Sequence, residues 1–223
     1  MRYLFPILLL FSFILKAQDN TRSIFTLKPT LGLNGCQVDG DSYGGYNKLG
    51  FLAGIAVNTR LGKRTSFDIG FNFSQKGAKH NPVPNKGDFS YYRVSLNYVD
   101  IPLLLKYHLN PVYFVTLGPS VGYLISYSEN KNYVDYTGMY PFNKFDTGFN
   151  LGLGRKMLKD KFFVEVRSSN SFLPIRNYGP IANQIYYPNI IAKFFNKGLY
   201  NNVLTLMFSY KIDYKKKSEE QQP

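Results

Sequence analysis

Residues 49–74 read LGFLAGIAVNTRLGKRTSFDIGFNFS, and their alternation decides the fold class. Leu49, Phe51, Ala53, Ile55, Val57, Thr59 and Leu61 fall on one phase, and Gly50, Leu52, Gly54, Ala56, Asn58 and Arg60 on the other. After Gly62-Lys63-Arg64 the pattern resumes, with Phe67, Ile69, Phe71 and Phe73 set against Asp68, Gly70, Asn72 and Ser74. Successive side chains of a strand point to opposite faces, so a period of two predicts two strands joined by a tight turn. One face of this hairpin is large and apolar. The other is small and polar.

The same pattern recurs along the chain. Phe25, Leu27, Leu31 and Leu33 alternate with Thr26, Lys28, Thr30 and Asn34; Phe145, Thr147, Phe149, Leu151 and Leu153 alternate with Asp146, Gly148, Asn150, Gly152 and Gly154. Phe162, Val164 and Val166 oppose Phe163, Glu165 and Arg167, and Leu204, Leu206, Phe208 and Tyr210 oppose Val203, Thr205, Met207 and Ser209. Val112 to Tyr127 carries Tyr113, Val115, Leu117, Val121, Tyr123 and Ile125 on one face. Tyr91 to Leu109 is different. Its apolar phase begins as Val94, Leu96 and Tyr98, then continues as Val99, Ile101, Leu103, Leu105 and Tyr107. Such a slip predicts a β-bulge inside that strand, close to Pro102, which lacks a ladder donor. The total is eight strands.

The connections alternate in length. Turns near Gly62, Asn110 and Lys159 are short, whereas Gly35–Lys48, Gly77–Ser90, Ser128–Lys144 and Leu173–Gly198 are long. Short turns on one side and long loops on the other are the layout of an antiparallel up-and-down transmembrane β-barrel, with both termini on the short-turn, periplasmic side. A soluble lipocalin-like barrel or sandwich is the competing architecture, but it would put the Gly-rich face outside, where glycine weakens a strand. Small and polar inward, large and apolar outward, suits lipid. Tyr91, Tyr92, Tyr107, Tyr113, Tyr127 and Tyr210, near strand ends, are expected in the interfacial aromatic girdles.

Composition agrees. Aromatic residues make up 17% of the 223, with 19 Tyr, 19 Phe and no Trp, alongside 19 Gly, a mixture suited to twisted sheet. The formal charge of +13 is scattered over turns, loops and the tail (Lys215, Lys216, Lys217) and forms no basic stripe, which argues against nucleic acid. Anionic lipid, including lipopolysaccharide, is the expected partner for some of it. Cys36 is the only cysteine, so no intrachain disulfide forms, and it reads as a small loop or strand-end residue.

Met1 and Arg2 precede an apolar run from Leu4 to Leu15, followed by Lys16-Ala17-Gln18. The run is about twelve residues, short of the ~20 needed to span a bilayer, and predicts a secretory signal peptide over 1–17 cleaved after Ala17. The barrel is expected over 18–214, with a charged periplasmic tail over 215–223.

Tyr98-Val99-Asp100-Ile101-Pro102-Leu103-Leu104-Leu105-Lys106-Tyr107 resembles a segment of the PorT-like, or porin-like, outer-membrane β-barrel family of Bacteroidota. Gly118-Pro119-Ser120-Val121-Gly122-Tyr123, Asn150-Leu151-Gly152-Leu153-Gly154 and Phe162-Phe163-Val164-Glu165-Val166-Arg167 resemble its following strands. The resemblance implies a Gram-negative outer-membrane location and, for a subset of the family, a role in protein export. It carries no catalytic motif.

Signals for chemistry are sparse. His80 in a long loop and His108 at a strand end fall on opposite sides of the barrel, so they build no metal site, and no strand offers a Ser, His and acid together. No catalytic, cofactor or metal residue is expected. Lys28, Arg60, Asp68, Arg93, Asp146, Glu165 and Arg167 fall on the lumen face, where charges in a narrow barrel should pair. In the fourth long loop, Asn189–Gly198 predicts a short amphipathic helix with Ile190, Ile191, Phe194 and Phe195 on one side, packing over the mouth or in the interface, or docking a protein. The function expected is structural or interactive, through long external loops, as an accessory of export or surface assembly. A narrow pore or small-ligand binder, and more remotely a lipid-modifying enzyme, are the alternatives.

Overall fold

The computed structural model describes residues 25–158, 160–178 and 197–212. Eight long strands form one antiparallel sheet: β1 (Phe25–Asp39), β2 (Lys48–Arg60), β3 (Thr65–His80), β4 (Tyr92–His108), β5 (Tyr113–Lys131), β7 (Phe145–Met157), β8 (Phe162–Ser171) and β10 (Gly198–Tyr210). Each pairs with the next, and β1 pairs with β10 from Thr30↔Ser209 to Asp39↔Tyr200, which closes the barrel. Two-residue ladders hang from its loop side, β6 (Val134–Asp135) on β5 and β9 (Arg176–Asn177) on β10. Closure leaves no long strand with an unpaired edge. The expected signal peptide over 1–17, the 215–223 tail and the Asn189–Gly198 helix lie outside the described residues.

Turn chemistry sets the short side. The amides of Leu61 and Gly62 both reach Thr65 O at 3.0 Å. The Asn110 side-chain oxygen accepts from the amides of Val112 (2.8 Å) and Tyr113 (2.7 Å), so an Asx turn precedes β5.

The greasy phase points outward across most of each strand. Ile69 is 47% and Phe71 56% exposed, while Asp68, Asn72 and Ser74 on the opposite phase of the strand are buried. The inward glycines make room for large neighbours: a Cβ on Gly154 would collide with the Phe114 ring, which fills the lumen there. On β4 the outward apolar run goes from Val99 to Tyr107, about 26 Å of strand at ~3.3 Å per residue. At a tilt of ~40° this covers roughly 20 Å of membrane, close to the usual ~25 Å belt.

Toward the loops the polarity inverts. Val94, Leu96 and Tyr98 keep the same inward phase as Asp100, Pro102, Leu104 and Lys106, and all three are fully buried. The slip expected within β4 is therefore corrected: the strand holds one phase throughout, and its apolar side moves from the outer to the inner face. The irregularity is nearby, but the extra residue lies on β5, where Asn97↔Ser126 is followed by Tyr98↔Leu124. Ile125 and Ser126 are both exposed there, and beyond them the inward phase of β5 shifts to Tyr127 and Glu129. The strands also run past the expected loop starts, to Asp39, His80 and Lys131. Their outward residues there are polar (Gln37, Lys79, Ser95, Asn97, Ser128), so an apolar alternation cannot mark the strand ends.

Candidate functional site

The lumen holds three stacked layers. Nearest the short turns, Asp68 receives Lys28 Nζ at 3.0 Å and Lys106 Nζ at 2.7 Å, and also accepts from the Asn58 amide. Beside it Glu165 accepts from Thr116 Oγ1 at 2.6 Å and pairs with Arg167 at 2.8 Å. The ammonium of Lys106 lies 4.4 Å from the centre of the Phe114 ring. Charges taken out of water are tolerated only when paired and hydrogen-bonded, and here each carboxylate has two or more donors. The void between Lys28, Asp68, Lys106 and Arg167 measures about 30 Å³, which admits water and no organic solute.

In the middle layer Lys76 sits between Asp100 (3.0 Å) and Asp146 (3.2 Å), over the Tyr98 ring at 4.6 Å. Asp146 also accepts from Ser171 Oγ (2.6 Å) and Asn201 Nδ2 (2.9 Å), so strands β3, β4, β7, β8 and β10 meet at one knot. Asn34 extends it toward β1, donating to Ser74 Oγ at 3.1 Å and accepting from Thr205 Oγ1 at 2.8 Å.

Above this the interior is apolar. Val38, Ala78, Val94, Leu96, Leu124 and Leu199, with Phe142 and Ile175 from the loops, pack as one core. A last charged pair caps it: Arg176 grips Glu129 at 2.5 and 2.9 Å, lies 4.2 Å from the Phe142 ring centre, and Tyr92 donates to the same carboxylate at 3.2 Å. At the loop end of the barrel the first long loop packs against the core and the ends of β3 and β4. Tyr43 stacks on His80 (4.4 Å between ring centres) and on Tyr92 (5.2 Å). His80 meets Asp88 at 2.6 Å; the Ser90 amide and His80 hold that carboxyl below its ordinary range. Burial pushes the Asp41 carboxyl up to about 6, although it accepts the Tyr43 amide.

Five of the seven expected lumen charges are where the alternation placed them: Lys28, Asp68, Asp146, Glu165 and Arg167 are buried inside. Two are corrected. Arg60 keeps the inward phase but is the last residue of β2, exposed and folded onto the Gly62 and Lys63 carbonyls. Arg93 is exposed on the outer face, because β4 does not change phase. Alternation missed Lys76, Asp100 and Lys106, although each extends an inward series (Asp68, Gly70, Asn72, Ser74, Lys76 on β3; Tyr98, Asp100, Pro102, Leu104, Lys106 on β4). Glu129 and Arg176 left no such signal, one lying beyond a bulge and the other in a two-residue ladder.

Three other placements differ. Tyr107, Tyr113 and Tyr210 face outward near the turns, as a girdle requires, but Tyr92 is buried and Tyr127 packs on the apolar core. Cys36 is no loop residue: it faces the lumen within β1, with Sγ 3.4 Å from Gln75 O. His80 ends strand β3 instead of lying in the loop. His108 is at the opposite end of the barrel; Ser66 Oγ is 3.4 Å from its Nε2, while its Nδ1 has no partner among the described residues.

Several solved structures are similar to this chain. The attachment invasion locus protein Ail of Yersinia pestis, in complex with the heparin analogue sucrose octasulfate, is 11% identical, with a TM-score of 0.47 over 85% of this chain and 100% of Ail. Neisserial surface protein A is 11% identical with a TM-score of 0.43 (86% and 100% covered), and CarO of Acinetobacter baumannii 10% identical with 0.44 (83% and 96%). No curated protein sequence matches this one significantly. The family model described as outer membrane protein beta-barrel domain matches residues 16–177, most of the chain, whose closed barrel turns its apolar belt outward. The chain belongs to the outer membrane protein beta-barrel domain family.

Proposed function

We propose that this protein is a closed, non-conducting barrel that holds an interaction surface outside the outer membrane, as an accessory of protein export or surface assembly. The observation that carries this reading is the apolar core from Val38 to Leu199 lying above two charge-paired layers. A filled interior gives ions no continuous wet path, and an eight-stranded barrel has only enough inner space for its side chains. What remains for function is the rigid upper rim and the loops on it. The likeness of Tyr98–Tyr107 to Bacteroidota PorT-like barrels supports the export association.

No chemistry is assigned to it. Ser66 and His108 come together at the turn end of the lumen, but among the described residues no carboxylate meets His108 Nδ1, and a nucleophile–base pair needs that third, orienting group. Purified protein in planar bilayers is expected to show no steady single-channel conductance, and stable unit currents would overturn the closed-barrel reading. Affinity capture from outer-membrane extract, with and without deletion of Ile190–Phe195, tests the interaction role. Identical recovered proteins in both cases would remove that segment as the docking element.

A further inference from the structure

Above the apolar belt the outer wall differs from one side of the barrel to the other. Across β3, β4 and β5, registered rows of outward residues climb from the belt toward the loops. The lowest is Phe73–Val99–Tyr123, and above it stands Gln75–Asn97–Ser126, with Asn97 Nδ2 donating to Ser126 Oγ at 3.0 Å. Gly77–Ser95–Ser128 follows, and Lys79–Arg93–Asn130 is the highest. The ladder sets Lys79 directly opposite Arg93, and neither has an ion-pair partner among the described residues. Like charges facing each other across a ladder repel unless an anion sits on them. Beyond Asn130 the row reaches Asp135, whose carboxylate accepts the Thr137 amide at 2.8 Å. On the opposite wall the polar outward row is Gln37–Asn202–Asn170, topped by Asp39, which accepts Asn202 Nδ2 at 3.1 Å; it carries no cation.

Height selects the ligand. Arg93 stands six residues beyond Val99 along β4, roughly 15 Å above the belt at ~3.3 Å per residue and ~40° of tilt. A glycerophospholipid head group extends only about 5–8 Å past the hydrocarbon, so its phosphate falls short of this row. An anion carried on a membrane-anchored saccharide reaches it, and the sugar then lies along the amide and hydroxyl rows. The sequence of apolar, hydrogen-bonding and cationic rows is the sequence of acyl chain, sugar and anionic group in a lipoglycan.

We propose that this β3–β4–β5 strip binds lipopolysaccharide through anionic groups of its saccharide, with the acyl chains against Phe73, Val99 and Tyr123. The inference rests on the reading that the loop side of the barrel lies outside the outer membrane. Arg93 supplies a fork matched to phosphate oxygens, and Lys79 a point charge beside it. Gln75 and Asn97 offer amide donors and acceptors to sugar hydroxyls. Gly77, Ser95 and Ser128 present nothing longer than a hydroxymethyl, which leaves the strip shallow between the two polar rows.

The test uses folded, full-length protein in a neutral detergent, with retention read by native mass spectrometry. The probes are lipopolysaccharide with a phosphorylated core, lipid A alone, and phosphatidylglycerol. Wild-type protein is expected to retain the core-bearing lipopolysaccharide over the other two. Lys79→Gln/Arg93→Gln should lose that preference by roughly fivefold per charge removed, with unchanged heat-modifiable migration as the check on folding. Lys63→Gln/Arg64→Gln, which removes the same charge at the turn end, should keep it. Equal retention of all three probes by wild type, preference for phosphatidylglycerol, wild-type retention by the first variant, or equal losses in both variants would overturn the site. Binding in detergent is independent of membrane orientation, so such a failure removes the site and leaves the closed-barrel reading standing.

Discussion

The two halves of this barrel solve opposite problems with one set of strands. In the half nearer the turns the surroundings are apolar, so Ile69, Phe71 and Ile101 face out, and Asp68, Lys106 and Glu165 are enclosed. In the half nearer the loops the surroundings are water, so Ser95, Asn97 and Ser128 face out, and Val94, Leu96 and Leu124 are enclosed. The backbone ladder is the same in both. Stability in the lower half rests on satisfied charges in a low-dielectric shell, and in the upper half on the ordinary burial of apolar area from water.

That contrast can be broken at either end. The largest effect is expected for Lys76→Met, which leaves Asp100 and Asp146 facing one another without their shared cation. Losing one partner of a buried pair costs about 3–5 kcal/mol, to be read as a lowered urea midpoint in detergent. Adding Asp100→Asn and Asp146→Asn should restore most of the loss, and no recovery would mean that the three do not act as a unit. Leu96→Ala, in the dry half, should cost about 2–5 kcal/mol through the cavity it opens. Phe71→Arg should cost about 2–4 kcal/mol, as a cation facing the belt does, while Ser128→Arg should shift the midpoint by less than ~0.5 kcal/mol, as exposed substitutions do. Equal penalties at 71 and 128 would place both on the same kind of surface.

The smallest effect concerns pH at the outer rim. Burial raises the Asp41 carboxyl from 3.8 to about 6 in the fold. The folded loop therefore binds this proton more tightly than the unfolded chain, so the group favours closure below about pH 4. Its contribution is lost as pH rises through about 6. Asp39 and His80 are the charged neighbours that modulate it. Hydrogen exchange of residues 40–47 should speed up between pH 5 and pH 7 beyond its intrinsic pH dependence, and Asp41→Asn should remove that excess. A wild-type profile that follows intrinsic exchange alone would contradict it.

The sequence was most legible where one environment surrounds a whole strand segment. Phe67–Phe73 and Leu49–Val57 face a single apolar medium, so alternation alone gave their direction, and the buried position of Asp68 followed from its neighbours. Legibility failed where the medium changes along a strand. At Tyr98-Val99 the apolar residues change faces because the strand leaves the membrane, and a pattern of two apolar phases resembles a bulge when only one environment is assumed. The outward polar series Arg93, Ser95, Asn97 on β4 and Ser126, Ser128, Asn130 on β5, at matching heights, is the signal that separates the two readings. The same error put Arg93 in the lumen. Arg176 and Glu129 were beyond reach for another reason: their pairing joins segments 47 residues apart, one of them in a connection with no periodicity.

A scan of single cysteines along β4, from Arg93→Cys to Tyr107→Cys in a Cys36→Ser background, tests the inversion most directly. Spin labels on outward positions 93, 95 and 97 should be relaxed by a water-soluble nickel reagent, and those at 99, 101, 103 and 105 by dissolved oxygen from the bilayer. Labels at 94, 96 and 98 should meet neither. If 94, 96 and 98 responded to oxygen as strongly as 101 and 103, the apolar residues of both halves would face lipid and the closed, two-medium barrel would be wrong.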